Sequence, residues 1–365
     1  MRGTPGICAR LLAARDRERT PAMSAAAVTE RGVIDLVRRA TAHARSGVRA
    51  GIGDDCAVLE PRPGSLLLAT TDLLIEDVHF RRRHATLEDI GWKALAVNLS
   101  DIASMGGRPR WALVALACPP STSSEEVEAF YEGMLTLATD RGVAVVGGDT
   151  SASRAGWVIN VTLLGEAERP VLRSTARAGD VIAVTGPLGR SAAGFAVLER
   201  SAPPQGLPVD ALADVTTAHR RPVPRTREGL WLGAARGVTA MIDLSDGLAT
   251  DLAHIGEESG VGARVDLDRL PVNDATRRVA AALGADAMTW ATGGGEDYEL
   301  LLTCDREALR TVAEGLERAT GTRLHVVGEI RHAEHGLTLR DAGGRTVALT
   351  GGFQHFQTRE DPRAG

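Results

Sequence analysis

Gly51-Ile52-Gly53-Asp54-Asp55-Cys56-Ala57-Val58-Leu59 sets two glycines against two adjacent carboxylates, followed by an apolar run. Asp54 and Asp55 cannot both be buried without a cation, because an unpaired buried carboxylate is very costly. Glycine lets the backbone turn tightly and approach a ligand closely. Taken alone, the stretch equally has the composition of a surface turn. Its weight comes from recurrence. Carboxylates beside Gly, Ser or Thr return in Thr70-Thr71-Asp72, Asn98-Leu99-Ser100-Asp101, Gly147-Gly148-Asp149-Thr150, Asp243-Leu244-Ser245-Asp246-Gly247 and Gly294-Gly295-Glu296-Asp297.

The surroundings narrow the chemistry. The chain has 365 residues, 44% apolar, which suits two domains with sizeable cores. A net charge of −5 and a pI near 6.0 leave no electrostatic footprint for nucleic acid. Lys93 is the only lysine, so no Walker P-loop exists, and neutralisation of polyphosphate falls to metal ions and arginine. Cys8, Cys56, Cys118 and Cys304 are widely spaced, which indicates neither a zinc site nor a disulfide framework and makes a reducing, cytoplasmic location the default. No apolar run approaches the ~20 residues that span a bilayer.

Residues 1–27 are expected to be a disordered extension or a mis-called start, with Met23 a second plausible start. A helix is expected over Val28–Arg45, then a strand over Ser65–Asp72 whose end presents Thr70, Thr71 and Asp72. Thr86–Met105 has the pattern of a helix, with Thr86 and Asp89 placed for a capping box. Asn98 and Asp101, three apart, share a face. Further expectations are a strand at Trp111–Ala117, a helix at Ser124–Arg141 capped by Ser124, and a strand at Val143–Val146 ending in Gly147-Gly148-Asp149. A strand at Trp157–Gly165 closes the N-terminal half. The polar segment around Pro170 marks a domain boundary, giving domains over 28–168 and 169–357 and a disordered tail over 358–365. In the second half, Ser201–Pro224 has the composition of a loop, Thr239–Asp243 of a strand, and Ser245–Glu258 of a helix. Strands and helices mix in both halves, so the class is α/β or α+β with two domains.

Oxygen-only ligands favour a hard cation, Mg²⁺ before Ca²⁺. Any single Asp of the set is more often a helix cap or turn former; Asp243 would serve to cap the helix after it. His79, taken alone, is more often a packed or surface histidine than a functional one. The glycine pairs offer backbone N–H groups to anions. Ser245 at a helix start and the fork of Arg173 suit phosphate. Phosphate with several magnesium ions points to phosphoryl transfer or ATP-dependent activation.

Taken in order, the acidic stretches together with His79, Lys93-Ala94-Leu95-Ala96-Val97-Asn98-Leu99-Ser100-Asp101 and Glu296-Asp297-Tyr298-Glu299-Leu300 resemble the thiamine-monophosphate kinases. That family lies within the aminoimidazole ribonucleotide synthetase-like superfamily, and the resemblance runs from about residue 28 to about residue 356. It implies an N-terminal mixed-sheet domain that pairs into a homodimer, a C-terminal α/β domain, and a nucleotide cleft between them. It implies phosphorylation of thiamine monophosphate by ATP, the last step to thiamine diphosphate. Asp55, Thr70, Thr71, Asp72, Asp101, Asp149, Asp243 and Asp246 are the implied magnesium ligands. Gly148, Asp149, Arg173 and Ser245 are the implied ATP contacts, and His79, Glu296 and Phe353 the implied substrate contacts.

The acceptor is a phosphate monoester with a second pKa of about 6, already dianionic at neutral pH. No general base or covalent nucleophile is therefore expected. Two related activating enzymes fit less well. Selenophosphate synthetase needs a reactive Cys or selenocysteine in an N-terminal glycine-rich loop, where Cys56 does not fit. The hydrogenase-maturation member needs a C-terminal cysteine, and this chain ends Pro362-Arg363-Ala364-Gly365. A non-catalytic nucleotide binder would have lost part of the acidic set.

Overall fold

The structure is a computed structural model that describes residues 29–41 and 47–347. The expectations for 1–27, for the tail and for Phe353 lie outside the described residues. The N-terminal half runs α1 (Glu30–Thr41), β1 (Val48–Ala50), β2 (Val58–Leu59), β3 (Leu66–Ile75), α2 (Leu87–Ser104), β4 (Arg108–Cys118), α3 (Ser124–Arg141), β5 (Ala144–Ala152) and β6 (Val158–Ala167). Its sheet has the order β3-β6-β4-β5, antiparallel except for the parallel pair β4 and β5. The sheet is therefore mixed, as expected.

The C-terminal half runs β7 (Val181–Val184), α4 (Arg190–Leu198), α5 (Val209–Arg220), α6 (Thr226–Ala234), β8 (Val238–Asp243), α7 (Leu248–Ser259), β9 (Val261–Asp266), α8 (Asp274–Leu283), α9 (Ala287–Gly293), β10 (Leu300–Cys304), α10 (Leu309–Thr320), β11 (His325–His332), β12 (Leu337–Arg340) and β13 (Thr346–Val347). Its seven strands have the order β13-β12-β9-β11-β7-β10-β8. Among the described residues, no helix is long and apolar enough to cross a membrane.

Helix α2 is the element on which both halves close. Thr86 and Asp89 form its capping box, which fixes where it starts. Leu95 and Leu99 are fully buried within the N-terminal core. Such a side chain contributes about 1.5–3 kcal/mol by leaving water. α2 packs on α3 and the N-terminal sheet on one side, and on α6 and β8 of the C-terminal half on the other. The approach to α6 is close, because a Cβ on Gly229 would lie 2.2 Å from the Ala103 carbonyl oxygen.

Four expectations shift. β3 does not stop at Asp72. It pairs with β6 through Ile75, so Thr70, Thr71 and Asp72 are mid-strand on the sheet edge. β5 runs through Gly147-Gly148-Asp149 to Ala152, because its parallel pairing with β4 continues after a bulge. Residues 201–224 contain α5; its prolines bracket the helix, with Pro208 at the cap and Pro222 beyond the end, and so do not interrupt it. The cap of α3 is Ser123, not Ser124.

Candidate active site

Asp101 projects from the last turns of α2 toward β3. The Thr70 hydroxyl donates to its Oδ2. Asp72, two residues along the same strand face, lies close enough to repel Asp101. Asp243, the last residue of β8, is 2% exposed, and its Oδ2 has no hydrogen-bond partner. Burial raises all three carboxyls. Asp72 reaches about 7, with Asp101 adding to the effect. Asp243 also reaches about 7, with Asp101 again the largest charge acting on it. Asp101 is raised by burial and moderated by Thr70 and by Arg173. Three carboxyls from two domains thus face one another, and Arg173 is the cation that offsets Asp101 and Asp243. An open cavity of about 470 Å³ adjoins them, its walls including Thr70, Asp101, Arg173 and Glu258.

The acidic set continues into the loop before α7. That helix begins at Leu248 with Gly247 as its cap, three residues later than expected, so Ser245 lies in the loop before it. Asp251 is buried and accepts from the backbone N–H groups of Asp246 (3.1 Å) and Gly247 (3.0 Å). Burial raises it to about 8, with Asp243 and Asp246 contributing. Donor atoms of Asp246, Asp251 and His254 lie within 4.8 Å of one another. Sequence reasoning missed Asp251 and His254. Their spacing of three on one helix was the available signal.

Glu296 enters from the glycine-rich loop before β10. Its own φ is +66° and that of Tyr298 is +51°, a region that non-glycine residues rarely occupy. The loop is held by the Glu296 N–H donating to the Ser245 carbonyl at 2.7 Å. Lys93 Nζ lies 2.6 Å from Glu296 Oε1. Burial acts to raise Glu296, but Lys93 and His219 outweigh it and hold the carboxyl down at about 2. The buried Tyr298 ring stands near Glu296, Asp72, Asp243 and Asp101. The other acids of this loop have structural roles. Asp297 accepts from Gly189 N–H (2.6 Å) and Ser191 N–H (3.2 Å) and so caps α4. Glu299 takes a bidentate pair from Arg225 at 2.7 and 2.6 Å.

The remaining residues lie elsewhere. Pairing partners run Asp72, Val161, Val114, Gly148, which puts Gly148 three strands and roughly 14 Å from Asp72. Asp149 is exposed on the sheet face opposite the helices, with Thr71, and its Oδ1 accepts from Thr150 N–H at 2.9 Å. Gly148 has a φ of +152°, and a Cβ there would sit 1.8 Å from the Val114 carbonyl oxygen. Asp55 is exposed in the β1–β2 turn, a hairpin that packs on that same open face against Trp111 and Val146. His79 Nδ1 accepts from Ile75 N–H at 3.0 Å just past β3. Within one chain, Thr70, Asp72, Asp101, Asp243 and Arg173 gather at the cleft, with Ser245, Asp246 and Glu296 on its C-terminal side. Asp55, Thr71, Gly148 and Asp149 do not join them.

Two α/β domains that close on one helix, with carboxylates from both lining the cleft, define an AIR synthase related protein. The N-terminal domain model of that family matches residues 53–167, and the C-terminal model matches residues 177–339. The thiamine-monophosphate kinase of Bacillus subtilis (strain 168) is 39% identical over 264 residues, covering 72% of this chain and 79% of that protein. The crystal structure of thiamine-monophosphate kinase from Stenotrophomonas maltophilia K279a superposes with a TM-score of 0.75 at 36% identity, covering 88% of this chain and 99% of that one. AaThiL complexed with AMPPCP and TMP superposes with a TM-score of 0.71 at 31% identity, covering 93% of this chain and 100% of that one. The chain belongs to the thiamine-monophosphate kinase family.

Proposed function

We propose that this chain transfers the γ-phosphoryl group of ATP directly, in line, to the phosphate of thiamine monophosphate, giving thiamine diphosphate with magnesium bound. The ATP-dependent kinase activity follows from the family, and AaThiL holds both AMPPCP and TMP. The observation that carries the reading is the meeting of Asp72, Asp101 and Asp243 from both domains, with a buried Asp243 oxygen left without a partner. Donors that are all carboxylate and hydroxyl oxygen fit magnesium. Thr70, Asp72, Asp101, Asp243 and Asp246 would hold it. Bound there, magnesium supplies neutralisation of the phosphate charge and alignment of the two phosphates. Arg173 adds a fixed positive fork for phosphate oxygens. Glu296 offers a negative charge to the thiazolium ring; by the family resemblance Ser245 would contact the nucleotide, and His79 and Phe353 the substrate. The dianionic acceptor needs no general base.

A homodimer belongs to the same reading. Leu67 is 53% exposed and Leu73 48% exposed on the open face of the N-terminal sheet, which also carries Thr71 and Asp149. A partner's N-terminal domain, over 28–168, would cover those leucines, and Asp55, Gly148 and Asp149 would then line a site at the subunit boundary. A reducing, cytoplasmic compartment goes with the free thiols of Cys56, Cys118 and Cys304.

The test is an ATP-to-ADP assay with thiamine phosphate against alternative phosphate acceptors. Appearance of thiamine diphosphate, dependent on magnesium, is the expected result. Magnesium-dependent ATP loss with no phosphorylated acceptor would overturn the reading.

A further inference from the structure

Lys93 is the only lysine of the chain and is 4% exposed. A buried ammonium is tolerated only when it is paired and hydrogen-bonded. Its partner lies across the domain boundary, since Nζ on α2 is 2.6 Å from Glu296 Oε1 in the C-terminal half. The second Glu296 oxygen, Oε2, lies 3.2 Å from Nδ1 of His219 on α5. His219 Nδ1 is also 3.0 Å from the Ser191 hydroxyl at the start of α4. The Phe195 ring packs 5.4 Å from the imidazole and fixes its plane. Burial and the Lys93 charge push that imidazole below the ordinary histidine value, against the neighbouring Glu296.

Exposure within the trio is uneven. The Lys93 side chain is 5% exposed and that of His219 10%, but Glu296 is 31% exposed. The carboxylate is thus gripped from behind by two buried groups and keeps an open edge. Its backbone sits at φ +66°, a conformation that a relaxed loop would avoid. Such a loop does not fix the aim of a glutamate alone; a buried cation and a buried imidazole on separate helices do.

We propose that Lys93 and His219 are positioning residues for Glu296, fixing its carboxylate so that its open edge meets the cationic thiazolium of thiamine monophosphate. This rests on the reading of Glu296 as a substrate contact. It adds that the carboxylate is held from both halves of the chain, since Lys93 stands on α2 and Glu296 on the loop before β10.

Steady-state kinetics of Glu296→Gln, Lys93→Met, His219→Phe and the double variant Lys93→Met/Glu296→Gln test it. Glu296→Gln and Lys93→Met are expected to raise KM for thiamine monophosphate about ten- to a hundredfold, and His219→Phe by about tenfold. KM for ATP should stay within about twofold, and the double variant should be no worse than Glu296→Gln alone. A merely structural role for Lys93 would instead weaken both substrates together. If Glu296→Gln leaves KM for thiamine monophosphate unchanged, the substrate reading fails and this inference falls with it. If Glu296→Gln raises KM but Lys93→Met and His219→Phe do not, or if the double variant multiplies the single effects, the substrate reading stands and the positioning role is overturned. Should circular dichroism show Lys93→Met unfolded, His219→Phe, which keeps the ring and removes the donor, decides by the same criteria.

Discussion

Thr70 and Thr71 are consecutive residues of β3 and face opposite sides of the N-terminal sheet. The Thr70 hydroxyl donates to Asp101 at the cleft. The Thr71 hydroxyl accepts from Asn160 Nδ2 at 2.9 Å on the open face and lies 3.2 Å from the Thr162 hydroxyl. The pleat of a strand makes this division unavoidable. Thr70→Val keeps the side-chain shape and deletes one hydrogen bond to a charged group, worth about 1.5–3 kcal/mol. It is expected to lower kcat/KM by about tenfold or more, read by the coupled ADP assay, and to lower the melting temperature in metal-free buffer by a few degrees. An unchanged kcat/KM, whatever the melting temperature does, would make Thr70 a structural residue only.

Asp101 lies under the repulsion of the carboxyls around it. Burial is the larger cost, and Asp101 is the largest charge that raises both Asp72 and Asp243. Asp101→Asn removes that charge and keeps the side-chain volume. In EDTA the variant is expected to melt a few degrees higher, since about 1 kcal/mol moves a domain of this size by a few degrees. Turnover is expected to fall about a hundred- to a thousandfold, because a residue that would hold the charge-neutralising magnesium is lost. Near-normal kcat would remove Asp101 from the site.

The same carboxyls set a pH dependence. Asp72 and Asp243 sit at about 7 and Asp251 at about 8, against 3.8 in the unfolded chain. A carboxyl raised by folding costs nothing below its unfolded value. Its cost grows as the pH climbs, and it is complete once the pH passes the folded value. Metal-free protein is therefore expected to lose melting temperature between about pH 4 and 8. Magnesium must displace protons from these groups, so its affinity should tighten over the upper part of the same window. Calorimetric titration near pH 6.5 in two buffers of different ionisation enthalpy should show proton release on magnesium binding. Proton uptake, or tighter binding at pH 6 than at pH 8, would contradict this arrangement.

Local signals carried much of the fold. The pair Thr86 and Asp89 marked the start of α2 because a capping box is encoded within four residues. The body of α3 was legible too, although its cap lies one residue earlier than expected, at Ser123. Asp101 and Asp243 were found because a carboxylate next to a strand end or helix end is visible locally, and their meeting followed from the family resemblance. The face on which a residue lies was not legible at Thr70–Asp72 or at Gly147–Asp149. Both stretches looked like strand ends, and only the continuation of β3 along β6 and of β5 along β4 shows them as mid-strand. Lys93 was noticed as a single lysine, but its partner is about 200 residues away, a pairing that no local pattern reveals. Asp297 stood in an acidic motif and proved to cap α4, because Gly189 N–H and Ser191 N–H lack a cap from their own helix.

The open face of the N-terminal sheet gives the last expectation. Leu67 and Leu73 lie on it, half exposed, at a sheet edge where β3 has no neighbour beyond it among the described residues. Two large aliphatic side chains left in water on an edge strand invite association, and natural sheets blunt such edges with charge or cover them. No charged side chain of β3 shares their face, since Asp72 points to the helices. Leu73→Glu places a charge there without touching the cleft on the other side. It is expected to weaken self-association by an order of magnitude or more, read as a shift from dimer to monomer in sedimentation velocity at micromolar concentration. If Asp55 and Asp149 complete a site at the subunit boundary, activity per chain should fall with dilution in step with dissociation. A wild-type chain that sediments as a monomer, or a Leu73→Glu monomer with full activity, would show that one chain carries the whole site and that Asp149 acts outside it.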